Sequence, residues 1–172
     1  MTPEWSRPER LDTIGSAERS IAIEANEAER AAIARRFELL GVDRLEATMA
    51  VRQESYGIVV KGRVRADVVQ ACVATGEPVI ARLDEPIDLL FVEPAAATDE
   101  VELSADALDT VEIEGSAIDL GEAAAETVAL AIDPFPRSPK AAAALKAAGV
   151  VGEDEVVPTG PLAGLKSLLE GR

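Results

Sequence analysis

The sequence predicts an α+β domain: an antiparallel, barrel-like sheet with two packed helices and a loose C-terminal tail. Three observations lead to this fold class. Apolar and polar residues alternate in consecutive stretches between residues 44 and 92, which is typical of half-buried strands. Two further stretches, 26–40 and 119–131, carry apolar residues at helical spacing. Five of the ten prolines follow residue 133, which disfavours packed elements there.

The chain length sets the domain organisation. With 172 residues, the chain is long enough for one globular domain with additional segments at its ends. Residues 1–24 are predicted to form an N-terminal lead-in with a short strand at 20–23, and residues 25–136 the single domain. Residues 137–172 are predicted to form a tail rich in proline and alanine, with a short terminal helix at 162–169.

Capping signals mark the start of both helices. Asn26 can cap the first helix, and Glu29 stands three residues later, as in a capping box. Asp119 and Glu122 have the same spacing at the start of the second helix. Glycine is common just beyond a helix end, so Gly41 predicts that the first helix runs to residue 40.

Three strands are predicted after the first helix. They cover residues 44–52, 60–68 and 79–92, with turns near 54–57 and 75–77, and such consecutive strands predict an antiparallel meander. A fourth, short strand is predicted at Val111 and Ile113, because these residues alternate with glutamates. The stretch 93–107 is dense in acids, so we expect a surface loop there.

Residues suited to catalysis and metal binding are scarce. Histidine, the commonest general base near neutral pH, is absent. The single cysteine, Cys72, lies in the apolar stretch 68–73, so we expect a buried packing residue with a raised pKa. One cysteine cannot supply a zinc site, and no glycine-rich phosphate loop occurs. The sequence therefore predicts a protein without cofactor or metal that is not an enzyme.

Targeting and membrane segments are not evident in the sequence. No stretch approaches the roughly 20 apolar residues of a membrane span, and no apolar run follows a basic N-terminus. A single cysteine excludes an intramolecular disulfide, which fits a reducing compartment. We therefore expect a cytoplasmic protein that does not bind membranes.

The net charge of −15 is concentrated in one stretch. Between Arg82 and Arg137 there is no lysine or arginine but there are fifteen acids, while the remaining 17 acids balance the 17 bases. An acidic region of this kind favours encounter with a basic partner. The alternative is an acidic surface that only keeps the protein soluble.

Lys61, Arg63 and Arg65 form a basic stripe along the second predicted strand. Alternate residues of a strand share one face, so these three side chains are expected to line one surface, with Arg52 beside them on the neighbouring strand. That surface could contact RNA phosphates. An ordinary solvated sheet face is the alternative.

Two pairs of carboxylates are further candidate binding residues. Asp84 and Asp88 form one pair, and Asp119 and Glu122 the other. Such pairs could bind a hard cation or act as acid and base. Helix capping is the alternative for the second pair.

Several motifs occur in the order found in one known family. Residues 62–79 (GRVRADVVQACVATGEPV) combine a Gly-x-Val-x-Ala strand with a Cys-Val-x-Thr-x-Glu-Pro-Val turn, in which Glu77 is another candidate binding residue. The motifs IDLGE at 118–122 and PLAGLKSL at 161–168 follow, and WSRP precedes them at 5–8. Over residues 55–169 the chain resembles the YceD/DUF177 family.

Two positions depart from the family pattern. Thr75 stands where some members have the second cysteine of a Cys-x-x-Cys, so a metal role proposed for those members does not transfer. Leu162 replaces the usual phenylalanine but keeps the position apolar. The resemblance implies a bacterial role in accumulation of large-subunit (23S) ribosomal RNA, and hence in ribosome assembly, without accepted catalytic residues.

Three mechanisms remain open at this point. The acidic stretch 84–133 could bind a basic ribosomal protein or a large-subunit precursor. The basic stripe could instead contact rRNA directly, together with the first-helix arginines Arg30, Arg35 and Arg36. A metal-assisted hydrolase using paired carboxylates is the alternative from a different class.

Overall fold

The computed structural model describes residues 3–94 and 109–150. Within these ranges the strands are β1 (Pro8–Arg10), β2 (Arg19–Glu24), β3 (Gly41–Glu54), β4 (Gly57–Ala71), β5 (Pro78–Val92), β6 (Asp109–Glu112) and β7 (Ala117–Asp119). The helices are α1 (Glu27–Arg36), α2 (Leu120–Ala131) and α3 (Ala141–Ala147), and a short 3-10 turn covers Leu11–Thr13.

The main sheet contains five strands in the order β2-β3-β4-β5-β6, and β1 pairs with β7 separately. Strands β2 to β5 form antiparallel pairs, whereas β6 runs parallel to β5, unlike the predicted antiparallel sheet. A parallel pair needs a crossover of about a dozen residues or more, and the chain between Val92 and Asp109 is long enough. The α+β class is confirmed. Closure into a barrel is not found, since β2 and β6 end the described strand order.

Strands β3 and β4 approach each other closely at Gly62. A Cβ atom added there would lie 2.1 Å from the carbonyl oxygen of Thr48 and 2.7 Å from the Cα atom of Met49. Both neighbours are backbone atoms, so the movement of a side chain could not relieve the contact. The glycine that opens the motif at 62–79 therefore serves the packing of this hairpin.

The capping box predicted for the first helix is confirmed. The Glu29 amide donates to Asn26 Oδ1 over 3.0 Å, and the Asn26 amide donates to Glu29 Oε2 over 2.8 Å. The prediction that this helix runs to residue 40 is wrong. The Leu40 amide already donates to the Val69 carbonyl over 2.8 Å, and Gly41 is the first residue of β3. The helix therefore ends at Arg36, a turn follows, and the backbone of Leu40 already belongs to the pairing with β4.

The core lies between one face of the main sheet and the helices α1 and α2. Its sheet positions alternate along β3 and β4, and they are Leu45, Ala47, Met49 and Val51 on β3 and Val60, Val64, Ala66 and Val68 on β4. Ile33 of α1 and Leu120 and Val128 of α2 belong to the same core. The aliphatic side chains that dominate the composition thus fill one side of the sheet, which leaves the other side for contacts outside the core.

Residues 3–14 pack against the domain. Trp5 is completely buried and Ile14 is 6% exposed, while β1 pairs with β7. The segment assigned to a lead-in therefore supplies core side chains and two strands. α3 lies in the stretch assigned to the tail, whereas the helix predicted at 162–169 and most of the predicted acidic loop lie outside the described residues.

Candidate functional site

The basic stripe lies on the face of the main sheet opposite the core. Lys61, Arg63 and Arg65 alternate along β4 with buried valines such as Val60 and Val64. Successive side chains of a strand point to opposite faces, so the three cations point away from the core. Their side chains are 53–54% exposed. They therefore share one solvent-facing surface.

Two aspartates of β5 pair with this stripe. Lys61 lies opposite Asp88 in the register of the sheet, and the two charged groups are 3.2 Å apart. Arg65 lies opposite Asp84, whose carboxylate is 3.5 Å from Arg65 Nε and 2.8 Å from Arg63 Nε. The hydrogen bond from Arg63 is the main cause that lowers the pKa of Asp84 below its usual value. The first carboxylate pair and the stripe thus largely neutralise each other.

The other arginines considered with the stripe make separate contacts. Arg52 of β3 pairs with Glu54 over 2.7 Å. Arg30 donates to the Ala25 carbonyl over 2.7 Å, and Arg35 has no ion pair within residues 3–94 and 109–150. Because α1 packs on the core side of the sheet, its arginines lie away from the stripe. The structure therefore does not bring Arg30 and Arg35 to the stripe, whereas Arg52 lies opposite Val59 of β4, on the face of the sheet that carries the stripe.

Asp119 is the N-cap of α2, which confirms the capping alternative. Its Oδ1 accepts hydrogen bonds from the amides of Gly121 at 3.0 Å and Glu122 at 3.1 Å. The amide of Arg7 donates to the same carboxylate at 2.8 Å, and the hydroxyl of Ser6 donates to Oδ2. These four donors occupy lone pairs that a metal or substrate would need. Asp119 therefore joins the N-terminal segment to the start of α2.

Glu122 belongs to an ion-pair network between the helices. Its carboxylate oxygens lie 2.7 and 2.9 Å from the guanidinium nitrogens of Arg36, which also contacts Glu4 at 3.0 Å. The hydrogen bond to Glu122 is the main cause that raises the pKa of Arg36. Within the described ranges, no group of three potential metal ligands is found. The second carboxylate pair is thus engaged in structural contacts.

Cys72 is 3% exposed, which confirms the predicted buried position. The Ser138 amide donates to its sulfur over 3.2 Å. This donor and the Thr75 hydroxyl lower the pKa of Cys72 to about 6. The predicted rise of the thiol pKa is wrong, because hydrogen bonds that favour the thiolate outweigh the effect of burial.

Residues 72–77 form a turn, called the Cys72 turn below, and Glu77 joins it to the segment that precedes α3. Its carboxylate accepts from Lys140 Nζ at 2.7 Å, from the Ser138 hydroxyl at 3.2 Å and from the Thr75 hydroxyl at 3.4 Å. The Lys140 bond is the main cause that lowers the pKa of Glu77. Sequence reasoning missed Ser138 and Lys140, because contacts over more than 60 positions leave no local pattern.

An acidic edge ends the main sheet at β6. We use this name for Glu93, Asp109, Glu112 and Glu114, which are all exposed. Val92 lies opposite Glu112, and the Ile113 amide donates to the Val92 carbonyl, so the last residues of β5 and β6 are adjacent. None of the four acids forms an ion pair within the part of the chain that the structure describes.

Comparison with known families shows the family of this chain. The chain matches the family described as Large ribosomal RNA subunit accumulation protein YceD over residues 60–169, well over half of its length. The chain belongs to the YceD family. The resemblance predicted from the motifs is thereby confirmed, and the family description names a role in rRNA accumulation rather than a catalytic activity.

The YceD match begins in β4 and includes most of the features described above. The basic stripe, the Cys72 turn, the acidic edge and the start of α2 all lie within it, whereas Trp5 lies before it. No curated protein and no solved structure matches the chain. None of the described helices is both long and apolar enough to cross a membrane.

Proposed function

We propose that this YceD family member is a non-enzymatic accessory factor in the accumulation and assembly of the large ribosomal subunit. It acts in the cytoplasm by binding a basic ribosomal protein, free or within a large-subunit precursor, through the acidic edge. Membership of the family supports the general role. The charge distribution of the described residues supports the mode of binding.

The contrast between paired and unpaired charges carries this proposal. Each cation of the basic stripe lies within 3.5 Å of an Asp84 or Asp88 oxygen. The acidic edge, in contrast, presents exposed carboxylates without a cation partner in the described ranges. A charge already neutralised by its neighbour contributes little field to a partner, whereas unpaired charges of one sign add up.

The dimensions of the acidic edge suit a basic protein segment. Asp109 and Glu112 stand three strand positions apart, about 10 Å at the usual rise per residue. The Debye length is about 8 Å at physiological ionic strength, so each carboxylate acts mainly on cations that lie close to it, and a basic segment must run along the edge to reach both. Ribosomal proteins are rich in lysine and arginine, and opposite charge speeds encounter and disfavours acidic partners.

Direct rRNA binding by the basic stripe has weaker support. An RNA phosphate would have to compete with Asp84 and Asp88 for the same cations. The net charge of −15 also repels a polyanion. A protein partner therefore fits the charges better.

The geometry gives no support to a metal-assisted hydrolase. The carboxylate of Asp119 accepts four hydrogen bonds from this chain, and Glu122 is bound by Arg36. Asp84 and Asp88 face the cations of the stripe. Each candidate carboxylate already has a partner within the chain.

Affinity isolation of the full chain from cells tests the proposed function. The edge variant combines Asp109→Asn, Glu112→Gln and Glu114→Gln, which remove charge with almost no change in shape. A control variant with Glu27→Gln, Glu38→Gln and Asp43→Asn raises the net charge equally by changing exposed acids near α1. Large-subunit precursors and ribosomal proteins are quantified at low and high salt.

The expected result is that wild type and control recover large-subunit precursors in a salt-sensitive manner, while the edge variant recovers at least about tenfold less. Equal recovery with the edge variant would contradict binding through the acidic edge. A third variant, with Lys61, Arg63 and Arg65 replaced by alanine, separates the two partners. Loss of purified rRNA binding in that variant alone would support RNA contact instead.

A further inference from the structure

Strand β2 ends the main sheet on the side away from β6. Among the described strands its single neighbour is β3, and the pairing with β3 has no register shift. The central residues 20–23 of β2 contain no charge and no proline. Proteins usually protect an exposed edge with lysine, proline or a bulge, because the free backbone groups of an edge strand pair readily with another strand. The free edge of β2 therefore has the properties of an interaction surface.

Alternate residues of β2 point their backbone groups away from β3. The Ala25 amide donates to the Leu45 carbonyl over 2.9 Å, so the backbone of Ala25 faces β3. Successive residues of a strand point their backbone groups to opposite sides, so the positions one, three and five residues before Ala25 face away from β3. The Arg7 guanidinium donates to the Glu24 carbonyl over 3.0 Å, in agreement with this alternation. The residues with outward backbone groups are Ser20, Ala22 and Glu24.

The exposed face of β2 also carries side chains without partners. Ser20 and Glu24 are exposed, and neither side chain forms a hydrogen bond or salt bridge with any residue that the structure describes. Ala22 stands between them and is exposed as well. On the other face, Ile21 and Ile23 pack against the core and are half-buried. The pattern is therefore similar in both directions from Ala22, with an isoleucine next to it and a polar residue two positions away.

A second copy of the chain fits this edge when the two β2 strands run antiparallel about a two-fold axis at Ala22. Ser20 then lies opposite Glu24 of the second copy, and Ala22 lies opposite its own counterpart. All three outward backbone positions form hydrogen bonds in this register, since the Glu24 carbonyl has a second lone pair besides the one that Arg7 uses. The Ser20 hydroxyl also has a carboxylate acceptor opposite it. Such a closed interface uses the same surface on both chains.

Neighbouring positions of the axis fit less well. An axis at Ile21 would bring Glu24 opposite Glu18 of the second copy, and like charges directly opposite each other destabilise a sheet. An axis at Ile23 would bring Ser20 opposite Asn26, which already lies beyond the end of β2 as the N-cap of α1. The axis at Ala22 is therefore the one that uses the free groups of β2 in full.

We propose that two copies of the chain associate through β2, in antiparallel pairing centred on Ala22, and form one continuous sheet. The strand order is then β6-β5-β4-β3-β2 followed by the same strands in reverse. The two acidic edges lie at the far ends of these ten strands, about 43 Å apart along the sheet at the usual strand spacing. The dimer presents two binding surfaces for basic segments, but its own contacts do not involve the acidic edge.

Sedimentation of the purified full chain, from micromolar to millimolar concentration, measures this association. The variant Ala22→Lys places two lysines opposite each other at the axis, and the position is exposed in the single chain. Thr48→Lys is the matched control, because Thr48 is exposed and lies opposite Ala22 on β3, one strand away from the edge. Both variants change the net charge equally, so a general effect of charge acts on both alike.

Hydrogen exchange followed by NMR locates the interface. The amides of Ile21 and Ile23 face β3, so their protection reports whether each variant keeps the fold at every concentration. The outward amides of Ser20, Ala22 and Glu24 gain a partner only in the dimer. Their protection should therefore depend on protein concentration.

We expect wild type and the Thr48 variant to dimerise, and Ala22→Lys to raise the dissociation constant at least about tenfold while Ile21 and Ile23 stay protected. In the wild-type dimer the three outward amides should exchange at least about tenfold more slowly than in dilute protein. A wild type that stays monomeric throughout would overturn the proposal. A dimer with unprotected outward amides, or with unchanged affinity in Ala22→Lys, would overturn it too. Recovery of ribosomal partners tests the proposed function separately, so the two can fail independently.

Discussion

Replacing Gly121 by alanine is expected to destabilise the fold by disturbing the contact between α2 and the N-terminal segment. A Cβ atom at Gly121 would lie 2.0 Å from the carbonyl oxygen of Trp5, 2.9 Å from its carbonyl carbon and 3.2 Å from the Arg7 amide nitrogen. These are backbone atoms of a segment that Asp119 and the buried Trp5 side chain hold in place. The segment must therefore move or the helix start must shift.

The expected cost follows from two opposing effects. Forcing extra atoms into a packed contact costs about 1–3 kcal/mol. Alanine in place of glycine stabilises a helix interior by up to about 1 kcal/mol, and less in the first turn, where Gly121 lies. The net loss should be about 1–2 kcal/mol, rising toward about 3–5 kcal/mol if Trp5 leaves the core.

Urea unfolding measures this loss as a lower midpoint with an unchanged slope. Thermal unfolding should show a fall of about 2–4 °C for each kcal/mol lost. Gly15→Ala is the control, because a Cβ atom there would meet nothing within 4 Å and the backbone is not left-handed. If Gly121→Ala unfolds at the same urea concentration as the wild type and this control, the close approach to Trp5 does not limit stability.

Two further predictions concern ionisation at the Cys72 turn. The pKa of Cys72 is lowered to about 6, so the ultraviolet absorbance of the thiolate should titrate near that pH in the folded protein. The Cys72→Ala variant should show no such titration. A midpoint near 8.5 would show that the Ser138 amide does not stabilise the thiolate. Because the pKa of Cys72 is lower in the folded protein than in the unfolded chain, the thiolate stabilises the fold. This contribution is complete only above the unfolded pKa and is lost as the pH falls through about 6. The pKa of Glu77 is lowered by Lys140, so its stabilisation is present above the usual value of 4.5 and is lost as the pH falls below it. Urea midpoints of Glu77→Gln and wild type should therefore differ at pH 7 and converge toward pH 3, and a difference that is constant with pH would contradict the ion pair.

Local patterns predicted most of the secondary structure. Alternation of apolar residues located β3, β4 and β5, since one face of each strand must be buried in this sheet. The capping residues Asn26 and Asp119 located the starts of α1 and α2, because these side chains bond backbone amides within three positions. Both patterns involve residues that are close in sequence, so they predict secondary structure without knowledge of the fold.

At the end of α1, tertiary contacts override the local sequence pattern. Phe37 and Leu40 fit the helical spacing, and Gly41 fits a helix end. Pairing of the Leu40 amide with Val69 of β4 uses the same backbone for the sheet. The parallel pairing of β6 and the separate pair of β1 with β7 likewise join residues that are distant in sequence.

The candidate site was predicted unevenly for the same reason. The sequence placed Lys61, Arg63 and Arg65 on one face, because strand geometry alone sets that alternation. It did not show that Asp84 and Asp88 stand opposite them, since this depends on the register between β4 and β5. Because of this register, the stripe that could have contacted RNA phosphates is a largely neutral surface.

The sequence by itself determined the α+β class, the family, the acidic balance and the absence of histidine, because these depend on composition and short-range pattern. Only the tertiary structure decided which charges remain unpaired. Asp119 binds the N-terminal segment and Glu122 binds Arg36 of α1. The acids of β6, at the end of the sheet, form no ion pair within the described residues. Pairing energy depends on distances between residues far apart in the chain, and folding alone sets those distances.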